Sequence, residues 1–123
     1  MDSNRRASGR ANYESGLSAE DGVAESYCRD GGSIAARRWR GLGGEIDLIV
    51  RSRTGLIFVE VKKAETLARA AERVTDRQLR RVIAAGEEFL AGEPLGLLTP
   101  VRYDVALVDD MGRREIIENV SIF

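Results

Sequence analysis

The sequence predicts an α/β fold, a central mixed β-sheet flanked by helices in the order α-β-β-β-α-β-β. Three observations predict it. Two apolar, β-branched runs, Gly44 to Val50 and Leu56 to Lys62, flank the short polar turn Arg51-Ser52-Arg53-Thr54-Gly55, which is too short for a helix, so the pair reads as a hairpin. A capped amphipathic helix follows, opened by Thr75-Asp76-Arg77-Gln78. Then Val101 to Val108 alternates cleanly as a further strand. A helix lying between two strands of one sheet is a crossover, and it makes the sheet mixed.

Residues 1–16 are polar, with almost nothing to bury, and read as a disordered tail ahead of a domain spanning 17–123. From Ser18 to Arg29 the pattern is helical. Ser18 is the expected N-cap, Glu20 and Asp21 lie in the first turn, and Leu17, Ala24, Tyr27 and Cys28 form the apolar stripe. Gly31-Gly32 ends this helix. Ser33 to Arg40 reads as an edge strand, with Ile34, Ala36 and Arg38 on one face and Ala35, Arg37 and Trp39 on the other. Ala64 to Arg73 is polar and helix-prone. The capped helix runs to about Ala91, is stopped by Gly92 and Pro94, and buries Leu79, Val82, Ile83, Gly86, Phe89 and Leu90. After Val108 a turn at Asp109 to Gly112 leads to a last strand from Arg114 to Phe123.

The composition excludes several kinds of chemistry. With no histidine, His-based acid–base catalysis, Ser-His and Cys-His nucleophiles and His-ligated zinc all drop out. A single cysteine, Cys28, leaves no disulfide framework and no Cys₄ zinc site, and it is expected to be a small buried apolar residue. No apolar run approaches the length that spans a bilayer and no signal-peptide core is present, so the chain reads as cytoplasmic. The formal net charge is −1, yet residues 29–81 hold thirteen Lys/Arg against seven Asp/Glu. A basic middle on a neutral chain fits a nucleic-acid face. Arg73, Arg77, Arg80 and Arg81 crowd the start of the capped helix, and Arg40 adjoins the turn Gly41-Leu42-Gly43-Gly44, where glycines let a backbone approach a phosphate. Solvated helix arginines and a flexible turn explain the same residues without a ligand.

The hairpin carries charge where a strand normally carries Val or Ile: Asp47, Glu60 and Lys62. Buried charge is costly unless paired or metal-bound. If Arg51 pairs with Leu56, the register sets Asp47 opposite Glu60 and Glu45 opposite Lys62, with Cβ atoms about 4.5–5.5 Å apart. Carboxylates at that spacing repel unless a divalent cation lies between them or one is protonated. Two carboxylates and a lysine one step along suit metal-assisted phosphodiester hydrolysis: the acids hold a hard cation such as Mg²⁺ and the lysine adds positive charge near the attacking water. A solvated polar hairpin face is the plainer explanation, weakened because the opposite face of both strands is also apolar.

Asp47 followed thirteen residues later by Glu60-Val61-Lys62 resembles the D…(D/E)-x-K pattern of the restriction-endonuclease-like nucleases. The longer strings, Gly44-Glu45-Ile46-Asp47-Leu48-Ile49 and Phe58-Val59-Glu60-Val61-Lys62, resemble the YraN-like family of small bacterial endonucleases, related to archaeal Holliday-junction resolvases. Ala19-Glu20 and Arg102-Tyr103-Asp104-Val105 fit the same family, so the resemblance runs from about Leu17 to the end. It implies a restriction-endonuclease-like core and a Mg²⁺- or Mn²⁺-dependent endonuclease acting on DNA, branched or damaged DNA in repair or recombination being the natural substrate, with 5′-phosphate and 3′-hydroxyl products. Asp47 and Glu60 would bind the metal, helped by the Val61 carbonyl and by Glu20 through water. Lys62 would orient or activate the water, and Glu45 would hold Lys62. Glu20 equally fits a plain first-turn acid. The family often has a lysine near Gln78, and Gln78 departs from that pattern, so it either positions a water or only caps its helix. Asp104 reads as structural, paired with an arginine. A homodimer fits by analogy with resolvases, because cutting both strands of a symmetric substrate takes two sites. A non-catalytic nucleic-acid- or protein-binding module on a nuclease scaffold stays open as the alternative.

Overall fold

The computed structural model describes residues 18–121. The expected tail at 1–16, Leu17 of the first stripe and the terminal Ile122-Phe123 lie outside them. Residues 18–29 form helix α1. Five strands follow in one sheet of order β1-β2-β3-β4-β5: β1 Ser33–Arg40, β2 Glu45–Arg51, β3 Leu56–Lys63, β4 Val101–Val108 and β5 Arg114–Ile117. β1, β2 and β3 form an antiparallel meander, β3 and β4 are parallel, and β5 returns antiparallel to β4. The crossover between β3 and β4 holds two helices, α2 Leu67–Glu72 and α3 Asp76–Leu90, then a 3₁₀ turn at Gly96–Leu98. The mixed sheet flanked by helices is the predicted α/β class and is consistent with a restriction-endonuclease-like core.

Strand alternation builds the two faces. Leu48, Val50, Ile57 and Val59 pack under α1 on Val23, Ala24 and Tyr27. Ile49, Leu56 and Phe58 pack under α3 on Val82, Ala85 and Leu90. A smaller cluster joins α2 to β4 through Ala70, Val105 and Leu107. Both faces are covered, as the two-sided apolar hairpin required. α3 starts on the N-cap Thr75, whose hydroxyl accepts the Gln78 N–H at 3.2 Å. α2 starts on Thr66, whose hydroxyl accepts from Arg69 N at 3.1 Å. Trp39 packs edge-on against Phe89 at 5.5 Å between ring centres, a half-buried core role.

Several expectations are corrected. The helix-prone stretch 64–73 yields a separate helix, so the crossover is α-α rather than one α. α1 already includes residue 18, so Ser18 is not its N-cap. Cys28 is exposed, on the flank of α1 away from the stripe. β1 is the edge strand, but its faces are not those of simple alternation. Its register slips between Ile34 and Ala36, and Arg38 takes φ 48°. Ile34 therefore packs on the α1 side, whereas Ala36 and Trp39 pack together on the α3 side. β5 is four residues long, because Asn119 at φ 54° turns the chain so that its N–H reaches the Asp104 carboxylate (3.0 Å) and Val120 N–H reaches Tyr103 O (2.7 Å).

Asp104 has the structural role read from the sequence. Its fully buried carboxylate accepts two bonds from Arg102 at 2.9 Å, one from Tyr27 Oη at 2.7 Å and one from Asn119 N–H. Tyr27 is in α1, so this bond ties the first helix to β4. Burial, and then the Asp104 bond, push the Tyr27 phenol well above its usual range.

Candidate active site at the β2–β3 fork

The β2–β3 ladder has the register predicted from the turn, from Arg51 opposite Leu56 to Leu48 opposite Val59, and there it ends. β2 stays with β1 as far as Glu45, and β3 stays with β4 as far as Lys63. The two central strands thus fork at the point where Asp47 and Glu60 would have stood opposite each other. Asp47 fills the fork: its Oδ2 accepts the Val61 N–H at 2.8 Å, standing in for the missing backbone partner. Direct opposition of two carboxylates is replaced by one side chain closing the ladder, which is the physical reason the expected Asp47–Glu60 pair is absent. Burial, then the Glu60 charge beside it, push the Asp47 carboxyl up to about 7, against the opposing pull of the Val61 N–H.

Glu60 and Lys62 lie two apart on β3 and share a face. Lys62 Nζ is 3.1 Å from Glu60 Oε1, and both side chains are largely covered, at 19% and 12% exposure. Gln78, in the first turn of α3, reaches the same ammonium. With its oxygen toward Thr75 N (3.3 Å), its NH₂ would face the Lys62 ammonium, donor against donor. Turned over, Oε1 accepts from Lys62 Nζ and Nε2 donates to Arg73 O, both at 2.9 Å. Two short bonds with no donor conflict outweigh one long bond, so Gln78 holds Lys62. Glu45 does not. It ion-pairs with Arg40 at 3.2 Å, because the fork carries the end of β2 away from Lys62.

Glu20 comes to the site from α1. Its charge raises the proton affinity of Asp47, and its carboxylate faces Arg38 at 3.2 and 3.4 Å. Asp47, Glu60, Lys62 and Glu20 are therefore brought together from three elements, with Gln78 from a fourth. Sequence reasoning missed Arg38 as a neighbour of this group; alternation placed it with Ile34 and Ala36, and only the β1 irregularity moves it. Gln78 was legible as a cap, but its bond to Lys62 required the α2–α3 corner.

The arginines divide. Arg40 and Arg81 line one depression with Gly41, Gly43 and Gly44, and Arg77, Arg80 and Arg81 line the next with Gly43 and Asp76. Arg73 is apart: it ends α2, and its Nη1 donates to Lys63 O at 3.2 Å. The 41–44 turn does not offer its backbone to a phosphate. Glu88 of α3 already accepts Leu42 N–H at 2.9 Å and Gly43 N–H at 2.8 Å.

Among the described residues no three acidic side chains stand close enough to form a closed cation cage. The donor set nevertheless fits a hard divalent ion. Asp47 and Glu60 offer carboxylate oxygens at a half-buried fork, the hard-oxygen donors that such an ion takes.

A half-buried group of carboxylates and a lysine at the fork of a mixed sheet defines an α/β protein with a candidate acidic site. Residues 19–108 match the model of the uncharacterised protein family UPF0102. A UPF0102 protein of Cereibacter sphaeroides (strain KD131) is 57% identical over 112 residues, covering 91% of this chain and 96% of its own. One from Ruegeria pomeroyi is 54% identical, covering 90% of each. One from Dinoroseobacter shibae is 39% identical, covering 96% of this chain and 88% of its own. The chain belongs to the UPF0102, or YraN-like, family.

Proposed function

We propose that this protein is a metal-dependent endonuclease of the restriction-endonuclease-like superfamily, hydrolysing phosphodiester bonds in DNA, with branched or damaged DNA in repair or recombination as its substrate. One observation carries the reading: the β2–β3 fork holds Asp47 beside Glu60, with a lysine fixed on Glu60 at 3.1 Å. A hairpin needs none of this for its own stability, since two apolar strands would pair to their ends.

Asp47, Glu60 and the Val61 carbonyl would hold Mg²⁺ or Mn²⁺, with Glu20 reached through water. When bound, such a cation supplies positive charge to the phosphate and acidity to a nearby water. Lys62 presents its ammonium beside that water, steadied by Glu60 on one side and Gln78 on the other. The basic depressions around Arg40, Arg77 and Arg81 lie along the same end of α3 and suit the flanking phosphates. Arg73, bonded to Lys63 O, leaves this role, and Glu45, paired with Arg40, leaves that of holding Lys62.

The test is cleavage of labelled single-stranded, duplex, nicked, flap and four-way-junction DNA, and of RNA, with Mn²⁺ and with Asp47→Asn in parallel. Cutting of branched or nicked DNA that vanishes in the variant is the expected result. Binding without cutting of any substrate would instead make the chain a non-catalytic nucleic-acid-binding module.

A further inference from the structure

The turn between β1 and β2 holds a leucine with no structural task. Leu42 is 101% exposed. Its backbone is nonetheless held firmly. Gly41 N–H donates to Gly44 O at 2.9 Å, and the Glu88 carboxylate takes both N–H groups at the tip. The glycines let the turn lie flat on α3: a Cβ on Gly43 would come within 2.9 Å of Ala84 Cβ, and one on Gly44 within 3.0 Å of Arg81 Cβ. Arg81, Ala84 and Glu88 follow one another along one flank of the helix, so the turn is seated on rigid structure.

The surroundings are basic. Arg40 and Arg81 lie on one side of the turn, and Arg77 and Arg80 extend the row along α3. Among the described residues Arg77, Arg80 and Arg81 form no ion pair. The acids nearby are Glu45, paired with Arg40, Glu88, occupied by the two N–H groups, and Asp76 at the helix start. A single exposed leucine is ordinary on a protein surface. A leucine fixed at the tip of a rigid turn, with a row of arginines beside it, matches the chemistry of a side chain that enters a base stack while the arginines hold neighbouring phosphates.

We propose that Leu42 is a wedge that inserts between bases of DNA, and that this makes DNA with an already opened base step, at a nick or a branch, the preferred ligand. The inference rests on the DNA-binding part of the proposed function and not on cleavage. Parting a continuous stack costs a few kcal/mol per step, and a step already open spares that cost. Leu42 and Asp47 are five positions apart. A fully extended chain of that length spans at most about 17 Å, so the wedge enters within roughly five base-pair steps of the candidate site.

The experiment measures binding in EDTA, so that no cleavage occurs. The probes are one continuous duplex and a four-way junction of matching sequence carrying 2-aminopurine at the branch. Wild type is compared with Leu42→Ala and Arg81→Ala. Wild type should bind the junction more tightly and brighten the 2-aminopurine. Leu42→Ala should lose the brightening and about tenfold in junction affinity, with duplex binding unchanged. Arg81→Ala should weaken both ligands alike. Unchanged junction binding and brightening in Leu42→Ala would overturn the proposal. So would a wild type that binds neither ligand, or a Leu42→Ala variant altered only in its oligomeric state. If wild type brightens the probe yet cuts nothing with Mn²⁺, the nuclease reading fails and the wedge stands.

Discussion

Lys62 shows how a single residue combines a legible role with an illegible setting. Its place two residues after Glu60 was readable, because strand alternation puts both on one face. The residue that holds it was not. The sequence suggested Glu45, on the assumption that the ladder continues; the fork removes Glu45 and the α2–α3 corner supplies Gln78 instead. Asp47 illustrates the same limit: its identity was evident, but its bond to Val61 N–H follows from the strands parting. If Lys62 acts on the attacking water, Lys62→Ala should abolish cleavage and still show Mn²⁺-dependent thermal stabilisation, since the carboxylates remain. Full activity in that variant would end its assigned role. Gln78 acts through Lys62, so Gln78→Ala should lower kcat by about ten- to a hundredfold with KM little changed. Gln78→Glu should restore part of the rate, because a carboxylate oxygen also accepts from the ammonium. A change in KM alone would reduce Gln78 to a helix cap.

The elements that follow strict periodicity were read to within a residue, and those that break it were not. β4 and the capped α3 have the bounds expected from alternation and from the Thr75–Gln78 box. β1 has the expected bounds but the wrong faces, since one register slip and one left-handed residue, Arg38, redirect half of its side chains. β5 ends early because buried Asp104 competes for the Asn119 N–H, a long-range demand that no local pattern contains. The crossing of α3 over the sheet depends on Gly86. A Cβ there would stand 2.8 Å from Tyr103 Oη and 3.1 Å from the buried Phe58 ring. Alanine gains at most about 1 kcal/mol in helix propensity. Against that, overpacking two aromatic rings costs roughly 1–3 kcal/mol. The clash should win, and Gly86→Ala should lower the urea midpoint. An unchanged or higher midpoint would mean that α3 is free to lift from β3, and that its hold on Lys62 is looser than the 2.9 Å bond indicates.

On the scale of the whole molecule, the proposed metal site predicts that folding depends on pH and on divalent ions together. Among the described residues the buried apolar clusters lie between the sheet and its helices. The fork is where that burial meets charge. The Asp47 carboxyl is pushed up to about 7, chiefly by burial and then by Glu60, whereas in the unfolded chain it titrates near 3.8. A group raised on folding favours the folded state while it is protonated. Its contribution is therefore complete below about pH 4 and is lost as pH rises toward 7. Above that, the fold must hold Asp47 ionised beside Glu60. Asp47→Asn keeps an oxygen for the Val61 N–H and removes the charge. It should match wild type near pH 4 and be more stable at pH 8 by on the order of 1–2 kcal/mol, about 5–10 °C in Tm. A divalent cation competes with the same proton. Millimolar Mn²⁺ should raise the wild-type Tm strongly at pH 8, weakly at pH 5.5, and not at all in Asp47→Asn. Thermal scans of both proteins at the two pH values, with and without Mn²⁺, decide it. A Mn²⁺ shift that is equal at both pH values, or that survives in Asp47→Asn, would place cation binding elsewhere and leave the fork as a strained structural junction.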